Sequence, residues 1–296
     1  MTRDDAAMGA VLGALCGDAA GAVLEFFGRV VGPADVAAAL AMPGGGSLRV
    51  APGQITDDGE LTLCQLRALA GSATFDLDAL ATWYDRWVAS SPFDIGTTTI
   101  RSLGCLSSPH FRDLKASTGC AAAMTAAAAE FCQESKANGS LMRAVPLGIW
   151  GHALSTRELA EYARAESSLS HPNPSCRDAV ACYALAIGHL VAEPGDVVGA
   201  HARVVSWVAV HACNEVREWL SLAEAGTLVP YSLRIGFVKI AFVHAFRHLI
   251  AGTAYVDALR ETLLGGGDTD TNACIVGGLV GAAQGVHAVP EAMRSA

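Results

Sequence analysis

The sequence predicts an all-α fold, a compact helical bundle forming one domain over residues 1–296. Three observations carry that expectation. Apolar residues recur at intervals of three and four through much of the chain, alternating strand-like segments are scarce, and no stretch is long enough to link two domains. With 296 residues, 52% of them apolar, the chain can bury a substantial core.

Each predicted element has a local reason. Near the start Gly9, Gly13, Gly17 and Gly21 fall every fourth residue, and Gly277, Gly281 and Gly285 repeat the spacing near the end. Four-residue spacing keeps these positions on one helix face, where a missing Cβ lets another backbone come close. Each interior glycine costs about 1 kcal/mol relative to alanine, so both stripes mark close helix crossings. The stretches 39–54, rich in Gly and Pro, and 107–118, which opens on Ser107, Ser108 and Pro109, are read as loops. Helical spacing covers 61–70, 77–89, 156–169, 175–192 and 237–250, and the alanine-rich 121–130 has intrinsic helix propensity. Asp76 or Asp78 caps the second of these runs, and Ser155 or Thr156 the third.

Charge and cysteine usage narrow the function. Only 17% of residues are charged and the formal balance is −9, which argues against a nucleic-acid or anionic-membrane surface. Nine cysteines form no CxxC pair and are odd in number, so free thiols and a cytoplasmic location are expected. The amino terminus has no signal-peptide plan, since Asp4 and Asp5 precede its apolar part and Asp18 interrupts it. No apolar run has the length and composition of a membrane span.

Two acidic knots carry the chemistry. In QITDDGELTL, residues 54–63, Thr56 precedes Asp57, Asp58 and Glu60, and in GGGDTDTN Asp268 and Asp270 alternate with threonine before an apolar run. Acids and hydroxyls at helix starts are ordinarily caps and dipole partners. What capping leaves unexplained is the shared recipe, one copy behind three consecutive glycines. Hard divalent cations take about six oxygen donors, and four clustered carboxylates would otherwise repel one another. A pair of ions held by Thr56, Asp57, Asp58, Asp268, Asp270 and Thr271 answers both facts, provided the chain ends meet.

The ordered set GALCGDAAGAVLEF, TDDGELTL, SSPFDIGTTT, NGSLMRAVPLG, SHPNP and LGGGDTDTNACIVGGLVGAAQG resembles the ADP-ribosylglycohydrolase family from about Gly9 to Pro290. The resemblance implies an orthogonal helical bundle, a binuclear site for two Mg²⁺ (or Mn²⁺), and removal of ADP-ribose from modified protein side chains. Carried over by position, Thr56, Asp57, Asp58, Asp268, Asp270 and Thr271 match the metal ligands. Glu25, Asp58 and Asp94 match the catalytic acids, and Asn138, Gly139, Ser140, Leu141, Met142, His171 and Gly267 match the ADP-ribose-binding positions. The resemblance leaves open whether Glu25 or Asp94 acts as the acid or base. Arginine-linked ADP-ribose is the first-choice substrate and the protein is expected to be a monomer. Serine-linked ADP-ribose, O-acetyl-ADP-ribose and an inactive binding or structural role are the alternatives, with a metal-dependent phosphohydrolase as a reading from another class. Gly59 departs from the family pattern, which often has threonine there, and the chain stops at Ala296 where relatives often continue. His244 and His248, one helical turn apart, raise a zinc pair as a further option.

Overall fold

The computed structural model describes residues 1–232 and 234–296. Among the described residues sixteen α-helices follow in chain order: α1 (Arg3–Ala22), α2 (Pro33–Ala39), α3 (Asp57–Leu69), α4 (Leu77–Ala89), α5 (Thr97–Leu103), α6 (Pro109–Thr118), α7 (Cys120–Phe131), α8 (Val145–Trp150), α9 (Thr156–Ser168), α10 (Pro174–Ala192), α11 (Val197–His211), α12 (Asn214–Glu224), α13 (Val238–Ala251), α14 (Tyr255–Leu264), α15 (Thr269–Gln284) and α16 (Glu291–Arg294). No sheet forms among the described residues; two isolated bridges, Gly45 to Val50 and Ala137 to Phe237, tie loops.

α1 and α15 form the axis of the bundle. Their glycine stripes face each other in antiparallel register: a Cβ on Gly9 would collide with the backbone of Gly281 and Gly285, one on Gly13 with Gly277, one on Gly17 with Ala273, and one on Gly21 with Thr269 and Asp270. Backbone-to-backbone approach of that kind is open only to glycine. Side chains pin the crossing, with Tyr255 Oη donating to Gly13 O at 2.8 Å and Thr269 Oγ1 to Gly21 O at 2.8 Å. The carboxyl end of α1 therefore lies against the amino end of α15, so opposite ends of two helix dipoles meet. One hydrophobic core surrounds this pair, and α10 and α13 run through it almost completely buried.

Local signals were read correctly at several helix ends. Asp76 caps α4 by accepting from the amides of Asp78 and Ala79. Ser155 and Glu158 form a reciprocal capping box on α9. After Ala39, which ends α2, the 39–54 stretch is a loop tied by the Gly45 to Val50 bridge, whereas 107–118 is corrected: Pro109–Thr118 is a helix. Pro109 occupies its first turn, where a missing N–H costs nothing, so it starts the helix. All nine cysteines are free, and no described helix is long and apolar enough to cross a membrane.

Candidate active site

The two acidic helix starts open onto one cavity, because the glycine crossing brings Asp270 to the end of α1 and α3 packs beside both. Thr56 stands at the amino end of α3, yet its hydroxyl makes no cap bond. It donates instead to Asp18 Oδ1 at 2.8 Å and lies 3.3 Å from Asp58 Oδ2. Asp268 stands at the same place on α15, also without a cap bond, and accepts from Asn138 Nδ2 at 2.6 Å. Thr271 Oγ1 donates to Asp58 Oδ2 at 3.3 Å, across 213 residues of sequence. Capping thus fails as the explanation of both knots, and the chain ends do meet.

Electrostatics make the cluster costly as it stands. Asp57, Asp58 and Asp270 are buried, and burial with neighbouring carboxylates pushes each well above the usual carboxylate range. Glu25 is pushed up to about 7, first by burial and then by Asp94, Asp268 and Asp18. Asp94 is raised by burial and Asp268. Among the described residues lining the cavity there is no Lys or Arg. Asp58 Oδ1 and Glu25 Oε2 are buried with no hydrogen-bond partner, an expensive condition for an acid oxygen. Carboxylate oxygens of Asp18, Asp58 and Asp270 lie within 4.8 Å of one another, as do those of Glu25, Asp94 and Asp270. Hard oxygen donors, orphaned lone pairs and no counter-charge fit divalent cations.

Asp18 was not singled out from the sequence as a site residue. It is fully buried and accepts from Thr56 N (3.0 and 3.1 Å), Thr56 Oγ1 and Gly59 N (2.9 Å), so one carboxylate orients the whole first turn of α3. A Cβ on Gly59 would stand 2.7 Å from Asp18 Oδ2 and 2.8 Å from Ile55 Cβ, a physical reason for glycine at this departure from the family pattern. The signal was present: an acid on the glycine-striped helix, seven residues before Glu25 and hence on its face. Asp18→Asn replaces an acceptor by a donor facing three donors. It is expected to weaken divalent-cation binding about ten- to a hundredfold, as loss of a group orienting a ligand does, measured by calorimetric titration.

The cavity, about 440 Å³, runs from these acids to Thr97–Thr99, Asn138, Gly139, Met142 and His171. Asp94 lines it rather than capping α5, whose cap position is Gly96. Glu25 sits just past α1, its amide closing on Gly21 O at 3.2 Å. Of the positions expected from the resemblance to bind ADP-ribose, Asn138, Gly139, Met142 and His171 reach the cavity, and Ser140, Leu141 and Gly267 do not line it. Ser140 Oγ accepts from Ser167, Leu141 is core, and Gly267 lines an adjoining groove. The amides of Leu141 and Met142 close on Asn138 O, so the 138–143 turn offers fewer free donors than an open glycine loop would.

Beneath that turn lies a buried relay. Arg143 and Glu166 pair at 2.6 Å with no exposure, Tyr84 Oη donates to Glu166 at 2.8 Å, and Arg143 Nη2 donates to Ser170 Oγ at 2.7 Å. Ser170 Oγ lies 2.8 Å from His171 Nδ1. Since Arg143 can only donate, the arrangement that satisfies every group has Ser170 donating to Nδ1, which leaves Nε2 as the protonated nitrogen. That nitrogen is buried and unpartnered at the cavity wall, and burial beside Arg143 holds the ring neutral, with its pKa lowered to about 3. His171 thus presents a neutral N–H to an acceptor oxygen. At the other histidine pair, Glu261 comes within 4.8 Å of His244 and His248, but Arg247 bonds both His248 and Glu261, so a cation already occupies that cluster.

Fold and cleft together define a class: an all-helical protein whose two chain ends supply carboxylates to a single cavity. The chain belongs to the ADP-ribosylglycohydrolase family, whose model matches residues 1–296. Among its relatives is the ADP-ribosyl-[dinitrogen reductase] glycohydrolase of Rhodospirillum rubrum, 28% identical over 98% of this chain and 90% of that protein. The ADP-ribosylarginine hydrolase Tri1 of Serratia proteamaculans is 37% identical over 106 residues, 33% of this chain and 28% of its own. A solved chain titled "ADP-ribosylglycohydrolase-related protein complex" superposes with a TM-score of 0.76 at 24% identity, covering 99% of this chain and 92% of that one, a likeness of fold.

Proposed function

We propose that this chain is a divalent-cation-dependent hydrolase that releases ADP-ribose from modified protein side chains, arginine first, and that residues 1–296 form one domain. The observation that carries the reading is the meeting of Asp58 and Thr271 beside a cavity lined by acids and, among the described residues, by no Lys or Arg. Thr56, Asp57, Asp58, Asp268, Asp270 and Thr271 would hold two Mg²⁺ or Mn²⁺ ions. When bound, such ions supply positive charge that orients ribose hydroxyls and acidifies water.

The rest is done by the chain. Asn138, Gly139 and the Nε2–H of His171 form a neutral donor wall toward the diphosphate, and the ribose C1 lies at the carboxylates. Hydrolysis breaks the bond from C1 to the guanidine nitrogen; water gives its hydroxyl to C1 and a proton to that nitrogen. Positive character grows on the ribose ring as the bond opens, and the acidic cavity favours it. Glu25 and Asp94, each close to Asp270, are placed to take the proton from water or deliver it to the leaving nitrogen. Support for arginine comes from the name of the Tri1 relative, which aligns with 33% of this chain, and from a site whose charge suits a cationic leaving group.

A substrate panel tests the reading. ADP-ribosylated arginine, serine and cysteine peptides and O-acetyl-ADP-ribose, each with Mg²⁺, Mn²⁺ or EDTA, are expected to give free ADP-ribose fastest from arginine and none with EDTA. Released phosphate or nucleotide would mean another bond was cut, and no product from any substrate would refute the activity.

A further inference from the structure

A second concavity of about 680 Å³ adjoins the acidic cavity and shares Glu25, Phe26 and Ile235 with it. Its walls carry an unusual share of exposed apolar side chains: Val30 is 89% exposed, and Phe26, Ile235 and Leu264 are also exposed. Scattered apolar residues on a surface need no explanation, but four around one groove do. Phe26 has φ +54°, a left-handed conformation rare for a bulky residue, and strain of this kind is retained where the surroundings hold a side chain for use. Its carbonyl accepts from Ser47 Oγ at 3.2 Å, and it lies four residues past Ala22, the last residue of α1. Arg29, the basic residue of the groove, is spent in a two-point pair with Asp35 at 2.6 and 2.8 Å. The groove is therefore apolar, with Glu25 at its inner end.

We infer that this groove seats the polypeptide that carries the ADP-ribosylated arginine, with an apolar residue beside the modified side chain packed against Phe26, Val30 and Leu264. The inference rests on the function proposed above. With the diphosphate toward Asn138 and His171, and C1 at the carboxylates, the leaving group faces the junction where both concavities meet. A guanidinium there sits against the Glu25 carboxylate, and the chain bearing it runs out along the apolar wall that adjoins the junction.

The test compares three substrates on the full chain with Mg²⁺: a peptide whose ADP-ribosylated arginine has leucine neighbours, the same peptide with serine neighbours, and free ADP-ribosyl-arginine. Wild type is expected to favour the leucine peptide in kcat/KM. A Val30→Asn/Leu264→Asn double variant, altered only at exposed positions, is expected to raise KM for that peptide about tenfold, with kcat kept and free ADP-ribosyl-arginine within about twofold. Equal loss on all three substrates would assign the groove to the nucleotide, and no change on any would leave it without a role; either overturns the inference while the reaction stands. Failure of wild type on all three would remove the reaction and the groove's role together.

Discussion

Asp58→Ala and Asp270→Ala should each lower ADP-ribose release in kcat/KM by about a thousandfold or more with Mg²⁺ present. Asp58 is the joint between the two helix starts: its Oδ2 faces the hydroxyls of both Thr56 and Thr271, and its Oδ1 has no protein partner. Removing it deletes two cation-facing oxygens and leaves the Thr271 hydroxyl without its acceptor, while Thr56 keeps its bond to Asp18. Asp270 is buried at the glycine crossing, with Oδ1 accepting from the amide of Thr271 and Asp58 as its strongest charged neighbour. A structural role and a ligand role predict opposite stabilities here. If these acids served only the fold, metal-free variants would melt earlier than wild type; as ligands in a self-repelling cluster, they should melt at the same temperature or later. Wild-type turnover in either variant would overturn the metal assignment, and early melting of both would recast them as structural.

How much of this was legible in the sequence depended on whether the signal was local. The glycine stripes predicted close crossings, because a four-residue period has meaning within one helix. That the stripes face each other was invisible, since partner choice is tertiary. Capping chemistry at Asp76 and Ser155 was local and was read. Thr56 and Asp268 look the same in sequence, yet their side chains turn inward, because Asp18 and Asn138 reach them from distant segments. Helix α6 lies in a stretch read as a loop, although Ser108 and Pro109 at its start form a helix-start signal. Asp18 was passed over as a mere interruption of an apolar segment, although a buried acid on a glycine face always requires partners. His171 matches a family position in sequence, but its burial rests on the Arg143, Glu166 and Ser170 network, which no local pattern shows.

Metal and proton should compete for the same acids, and the competition should be visible in stability as well as in rate. Asp18 and Glu25 are each pushed up to about 7, mainly by burial, against about 4 for carboxyls in an unfolded chain. The folded, metal-free protein therefore holds more protons than the unfolded chain between those values. Stability is then full below about pH 4 as far as these groups are concerned, and it is lost as pH rises through about 7. The metal-free melting temperature should accordingly be higher at pH 5 than at pH 8. Divalent cations bind the deprotonated cluster, so they should restore most at pH 8 and least at pH 5. At a hundred times the dissociation constant one ion adds about 2.7 kcal/mol, on the order of 5–10 °C in a chain of this size. Differential scanning calorimetry at both pH values, with EDTA and with Mg²⁺, measures all four states. A metal shift equal at both pH values, or a metal-free protein that melts later at pH 8, would mean that these carboxylates are not a repelling cluster awaiting cations, and the reading of the cavity would fall with it.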